Sequence, residues 1–216
     1  MSLILDRVTI THRQQKEPLF DPVSLEISSG QTATIMGPSG CGKSTLLAAV
    51  TGSLSDVFEL SGTIALNGDI LNGLPIEKRK VGILFQDDLL FPHLDVYGNL
   101  AFGLPGGQSK SEKLGTIEKA LASADLAGFT HRDVATLSGG QKARISLLRT
   151  LLSQPNALLL DEPFSKLDQQ LRQSFREFVF QHIHEQQVPA LLVTHDPEDC
   201  PGGIRVHLDS GRMETC

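Results

Sequence analysis

Gly37-Pro38-Ser39-Gly40-Cys41-Gly42-Lys43-Ser44-Thr45 fits G-x-x-x-x-G-K-[ST], the glycine-rich turn that cradles nucleotide phosphates. Each residue type there has a physical task. The glycines let backbone N–H groups approach an anion closely, Lys43 supplies a point charge for the outer phosphates, and the Ser44 hydroxyl is a ligand for Mg²⁺. The flanks agree. Gln31-Thr32-Ala33-Thr34-Ile35-Met36 reads as a β-branched strand, and Leu46-Leu47-Ala48-Ala49-Val50 reads as a helix whose N-terminus favours a bound phosphate. A plain strand-to-helix turn does not explain a lysine and two hydroxyls in this register.

Working outward, the chain has 216 residues, enough for one domain with a sizeable core, and is 40% hydrophobic. No apolar stretch approaches the ~18 residues of a membrane span, and the N-terminus lacks a basic segment followed by an apolar one, so neither a span nor a signal peptide is expected. A net charge of −6 argues against nucleic acid as the main partner. The three cysteines, Cys41, Cys200 and Cys216, have no metal-ligand spacing and suit a reducing compartment.

Residues 3–27 alternate as two strands around the polar turn His12–Lys16. Residues 62–71 read as a hairpin about Asn67-Gly68. Val81–Phe85 is a short apolar strand closed by Gln86. From about residue 89 to 153 the spacing is helical, broken at Pro105–Lys110, with Ile117, Leu121, Ala124 and Leu126 on one apolar face and Ile145, Leu148, Leu151 and Leu152 on another. Ala157-Leu158-Leu159-Leu160 is a run expected of a strand buried on both faces. A helix over about 169–186 and a strand at Ala190–Thr194 follow, and a turn is expected at Asp209-Ser210-Gly211-Arg212. The fold class is therefore α/β: a nucleotide-binding core with an N-terminal antiparallel β-subdomain and a helical subdomain inserted at about 89–157. Residues 1–216 are read as a single domain.

Asp161-Glu162 ends the buried leucine run. One carboxylate at such a strand end can join a Mg²⁺ shell and the next can polarise an attacking water. In isolation the pair would be an ordinary polar strand end. Leu137-Ser138-Gly139-Gly140-Gln141, some ninety residues beyond the first loop, is a second anion-ready helix start.

With the phosphate loop, that pentapeptide resembles the signature of ABC-type ATPases, and the resemblance spans nearly the whole chain. It implies bound ATP and Mg²⁺, with Gly37, Pro38, Ser39, Gly40, Cys41, Gly42, Lys43, Ser44 and Thr45 around the phosphates. It implies Glu162 as the catalytic carboxylate, His195 at the γ-phosphate, and Ser44, Gln86 and Asp161 about the metal, with Gln86 linking it to the helical subdomain. Ser138, Gly139, Gly140 and Gln141 would close on the ATP of a second copy in a head-to-tail homodimer, and Asp168 of Ser165-Lys166-Leu167-Asp168 would couple the two nucleotide sites. The family usually has Ala where Lys166 stands, so Lys166 carries no expected role. His12 stands where the family has its adenine-stacking aromatic, which implies weaker stacking. After His195, Pro197, Pro201, Gly202 and Gly203 disfavour the usual helix.

Phe91-Pro92-His93-Leu94-Asp95-Val96-Tyr97-Gly98-Asn99-Leu100-Ala101-Phe102-Gly103-Leu104 is similar to a stretch of bacterial importer ATPases of the polyamine, ferric-iron, sugar and thiamine groups. By that resemblance the expected function is ATP hydrolysis powering a bacterial importer. The helical subdomain and residues 86–104 would meet an integral-membrane permease, a periplasmic solute-binding protein would take part indirectly, and the chain would sit in the cytoplasm on the inner face of the membrane. No room for the C-terminal regulatory β-domain of several related importers is expected. An ABC exporter subunit and a soluble non-transport ABC ATPase are the alternatives.

Overall fold

The computed structural model describes residues 1–208 and 212–215; Asp209-Ser210-Gly211 of the turn expected near the end lies outside the described residues. The chain forms two compact units: Met1–Ile83, Asn156–Glu162 and Phe180–Cys216 make the first, and Leu84–Pro155 with Pro163–Val179 the second. In chain order the elements are β1 (Ser2–His12), β2 (Val23–Ser28), β3 (Thr32–Met36), α1 (Lys43–Thr51), β4 (Phe58–Leu66), β5 (Asp69–Ile70), α2 (Ile76–Arg79), β6 (Val81–Leu84), α3 (Val96–Gly103), α4 (Lys110–Ser123), α5 (Gly139–Leu152), β7 (Ala157–Asp161), α6 (Gln169–Gln186), β8 (Ala190–Thr194), β9 (Ile204–His207) and β10 (Arg212–Thr215).

Two sheets build the first unit. The antiparallel one runs β2-β1-β4-β5. Its pairs Leu3↔Ile27, Leu5↔Leu25 and Leu3↔Leu66 set apolar side chains opposite one another, and β2 alternates buried and exposed along its length, as a sheet with one dry face must. The β4–β5 turn has Asn67 at φ 56° and Gly68 at φ 89°, the two left-handed residues that a tight hairpin matching the strands' twist requires. The second sheet runs β10-β9-β3-β8-β7-β6, with β9, β3, β8 and β7 parallel. Leu158–Leu160 and Leu191–Val193 are wholly buried, so continuous apolar runs rather than alternation mark these central strands.

That topology creates the site. Met36 pairs with Thr194 and Asp161 with Val193, so β3, β8 and β7 end side by side. Ligands of open parallel sheets bind outside the carboxyl ends of the strands. At the rear of α1 the guanidinium of Arg79 is buried; its Nη1 donates to the carbonyls of Ala49 (2.8 Å) and Val50 (3.0 Å) and its Nε to that of Leu74 (2.8 Å). The bonds to Ala49 and Val50 satisfy carbonyls that a helix C-terminus leaves open, and burial pulls the Arg79 pKa down.

In the second unit, Asp95 caps α3 by accepting from Gly98 N at 2.7 Å. Asn99, with no exposed surface, accepts from Phe91 N and donates to the carbonyls of Phe91, Leu94 and Asp95, so one amide fixes the whole turn before α3. Ile117, Leu121, Ile145 and Leu148 are buried as their helical spacing predicts, and Phe164 packs edge-on to Phe175 at 5.8 Å. Among the described residues after His195, the helical structure is a single short turn of 3₁₀ helix, Pro197–Asp199, in keeping with the prolines there. β9, which the sequence reading does not anticipate, then pairs with β3.

Candidate functional site

The loop after β3 turns into α1 through Gly42, whose φ of 98° is left-handed and whose missing Cβ would lie 3.0 Å from the Phe20 ring. Cys41 Sγ lies 2.7 Å from where a Cβ on Gly37 would stand, so the thiol packs inside the turn. Lys43 is 6% exposed; its ammonium donates to the carbonyls of Gly37 (2.8 Å) and Pro38 (2.9 Å) and stands 3.9 Å from Glu162 Oε1. The loop thus holds its own cation at the mouth of an N–H-rich helix start.

Ser44 Oγ donates to Asp161 Oδ1 at 3.2 Å. Burial pushes the Asp161 carboxyl above the ordinary aspartate range; the Ser44 bond pulls it back, Glu162 pushes it up and Lys43 draws it down. A hydroxyl and a carboxylate oxygen converging at one strand end are the hard oxygen donors that Mg²⁺ takes beside nucleotide phosphates, so these residues fit that ion.

Glu162 leaves β7 with φ 46°, a left-handed setting uncommon for a side-chain-bearing residue, while its N–H still bonds Val193 O at 2.9 Å. That backbone turn sends the carboxylate to a point where Oε2 is 3.2 Å from His195 Nδ1 while Oε1 faces Lys43. His195 is set by the residues around it: Thr194 Oγ1 donates to the buried Asp199 at 2.8 Å and accepts from Asp196 N at 3.1 Å. Asp199 escapes sequence reading because nothing marks an exposed-looking Pro-Glu-Asp as a buried anchor. His12 lies edge-on to Phe58 with ring centres 5.6 Å apart, its Nδ1 accepting from Gln14 N. It lines a cavity of about 280 Å³ with Arg13, Gln14, Asp56 and Val57.

In the second unit, Ser138 caps α5 by accepting from Gln141 N at 3.3 Å, and Gln141 Oε1 accepts from Ser138 N at 3.0 Å. A Cβ on Gly139 would meet nothing within 4 Å, so this helix start is open on that side. Gln86 Nε2 donates to Ser165 Oγ at 3.1 Å, and Asp168 Oδ1 accepts from Leu171 N at 3.1 Å as the cap of α6. The structure therefore gathers Gly37–Thr45, Asp161, Glu162 and His195 in the first unit. It holds Gln86, Ser138–Gln141 and Asp168 in the second.

A family profile described as ABC transporter matches residues 20–165. The chain belongs to the ABC transporter family. A relative in Escherichia coli K12, the uncharacterized ABC transporter ATP-binding protein YnjD, is 44% identical over 91% of both chains. The spermidine/putrescine import ATP-binding protein PotA of Mesoplasma florum is 40% identical over 91% of this chain, which spans 55% of that relative's length. The taurine import ATP-binding protein TauB of Pseudomonas fluorescens is 37% identical over 97% of this chain and 83% of its own. Among solved structures, the ATP-binding cassette MJ0796, a dimer in a post-hydrolysis state bound to ADP and Pi, matches with a TM-score of 0.80 at 28% identity, over 99% of this chain and 98% of that one. The ABC protein described here is accordingly an ATP-binding, ATP-hydrolysing subunit with the α/β phosphate-loop fold. Among the described residues, no helix is long and apolar enough to cross a membrane.

Proposed function

We propose that this ABC ATPase powers an importer by closing as a head-to-tail pair beneath a separate permease on the inner face of the cell membrane. The observation that carries the reading is the presence of two anion-ready helix starts on one chain, at Gly42-Lys43 and at Ser138-Gly139. One triphosphate has little use for both within one copy. A second copy supplying Ser138–Gln141 to the ATP held at Lys43 uses both, and the dimeric state of the solved relative with ADP and Pi supports it.

Lys43 exchanges its two carbonyls for the outer phosphates of ATP. Ser44 and Asp161, with Gln86 in the role the family resemblance gives it, would hold Mg²⁺, which would supply positive charge against the phosphates. Glu162 orients the attacking water and takes its proton, and His195, beside that carboxylate, faces the γ-phosphate; ADP and phosphate leave. His12 flanks the base, and Asp168 couples the two sites.

Import is supported by the polyamine and taurine relatives and by the surface that the Phe91–Leu104 stretch presents. Phe102 is 70% exposed and Leu89 56% exposed, while Phe91 and Phe102 meet edge-to-face at 4.8 Å. Such an aromatic step on a polar surface suits a permease loop. A solute-binding protein would act through the permease alone. The test is the mass in solution of Glu162→Gln with ATP and Mg²⁺, by light scattering. A doubling on ATP addition is expected; a monomer at high concentration refutes pairing by the subunit on its own.

A further inference from the structure

Two successive residues after β6 hold two successive residues of the loop before α6. Gln86 donates to Ser165, and the Asp87 carboxylate receives the Lys166 ammonium. The same segment is tied down on its other side. Asp88 O accepts from Ser146 Oγ at 2.8 Å, and Arg149 Nη1 donates to Leu89 O at 3.0 Å. Asp88 itself is half-buried, so burial raises its pKa, against which Lys142 is the largest opposing charge. Residues 86–89 therefore run between α5, which Ser138 caps, and the Ser165–Asp168 loop, bonded to both within one compact unit.

The Lys166–Asp87 pair is a poor candidate for a stabilising contact. Its side chains are 54% and 66% exposed, and such pairs contribute little to folding. What the pair does is geometric. A lone amide-to-hydroxyl bond leaves Gln86 free to turn about its own side chain. A charged bond at the next residue fixes the backbone from which Gln86 projects and sets the register between the two segments.

We propose that Lys166 is a positioning residue for ATP hydrolysis: seated on Asp87, it holds Gln86 on Ser165 and so ties the setting of Gln86 to the loop that carries Asp168. This rests on the reading of Gln86 as a residue of the metal and water site. Lys166→Met keeps most of the length of the side chain and deletes its charge and its N–H donors.

The test is steady-state ATP hydrolysis by the full chain with Mg²⁺, at low and at ~0.5 M salt, for wild type, Gln86→Ala, Lys166→Met, Asp87→Asn, their double variant, and the reversed pair Asp87→Lys/Lys166→Glu. Each single change of the pair should lower kcat roughly two- to fivefold, the most an exposed pair supplies, with KM for ATP unchanged within about twofold. The neutral double variant should be no slower than either single one, and the reversed pair should regain most of the lost rate. High salt should slow wild type toward the Lys166→Met rate and leave Lys166→Met unmoved, because ions screen an exposed pair. A normal kcat in Lys166→Met beside a slow Gln86→Ala overturns the proposal alone. So does a slow reversed pair, additive losses, or a raised KM at full kcat, each of which gives Lys166 a different partner or task. A wild-type rate in Gln86→Ala overturns the reading of Gln86 beneath it.

Discussion

Replacing Glu162 by glutamine separates binding from chemistry, and the geometry sets the size of both effects. Glu162 Oε1 stands 3.9 Å from the Lys43 ammonium, in side chains 20% and 6% exposed. At that distance two unit charges attract by about 1 kcal/mol in bulk water and by about 4 kcal/mol at an effective dielectric near 20. ATP has to draw Lys43 away from this carboxylate and then sit beside its negative charge. The two carbonyl bonds keep Lys43 in place regardless of Glu162, so only part of that attraction is released by the substitution. A gain of about 1–2 kcal/mol, or roughly 5- to 30-fold tighter ATP binding, is expected. Hydrolysis should fall by a factor on the order of 10² to 10⁴, the worth of a positioned base. Calorimetry with Mg²⁺-ATP on dilute protein gives the first quantity and single-turnover hydrolysis the second. Lys43→Ala should instead weaken binding and turnover together. His195→Ala, which removes the partner of Glu162 Oε2, should bind normally and turn over slowly. Glu162→Gln hydrolysing at the wild-type rate, or losing affinity in parallel with Lys43→Ala, would refute the reasoning.

Other outcomes follow from single features. Cys41 should react with a bulky maleimide, lose ATP binding on doing so and be shielded by bound ATP, whereas Cys41→Ala should stay active; mass spectrometry showing equal labelling with and without ATP contradicts this. Thr34 Oγ1 is buried in β3 without a hydrogen-bond partner, so Thr34→Val should stabilise the protein by about 1 kcal/mol, read as a rise of roughly 2–4 °C in Tm. Asp88 has its pKa raised by burial, so the native state binds that proton more tightly than the unfolded chain, and the associated stability is lost as pH rises through the raised value. Asp88→Asn should therefore raise Tm near pH 7 and give no gain below the ordinary aspartate pKa; an equal gain at both pH values contradicts the assignment.

Local chemistry is legible in this sequence wherever one short stretch contains its own reason. Asn67-Gly68 specifies a turn by backbone preference alone, Ala157–Leu160 is a run typical of a strand dry on both faces, and Ser138-x-x-Gln141 is a cap whose two bonds lie within four residues. The phosphate loop and the Asp161-Glu162 strand end are readable for the same reason. What stays hidden depends on partners far along the chain. Arg79 looks like a surface arginine until α1 supplies its carbonyls, 29 and 30 residues away. Asn99 and Asp199 look like ordinary polar residues until burial leaves them no solvent. Lys166 meets Asp87 across 79 residues, a distance at which no periodicity speaks. β9 is four residues long, too brief for alternation to register, and takes its definition from β3.

The buried Arg79 at the back of α1 bears on how the front behaves. A short helix that frays from its carbonyl end loosens every turn before it. Here that end is clamped by a buried guanidinium, packed so close that a methyl group on Gly52 would lie 2.5 Å from Arg79 Nε. The helix is a lever with its far end pinned. A helix pinned in this way favours losing the ordering entropy of the phosphate seat on folding and not on binding. Loosening the pin, 36 residues beyond Lys43 in sequence and on the opposite end of the helix, would shift that entropy back onto the ligand without altering one atom that touches it.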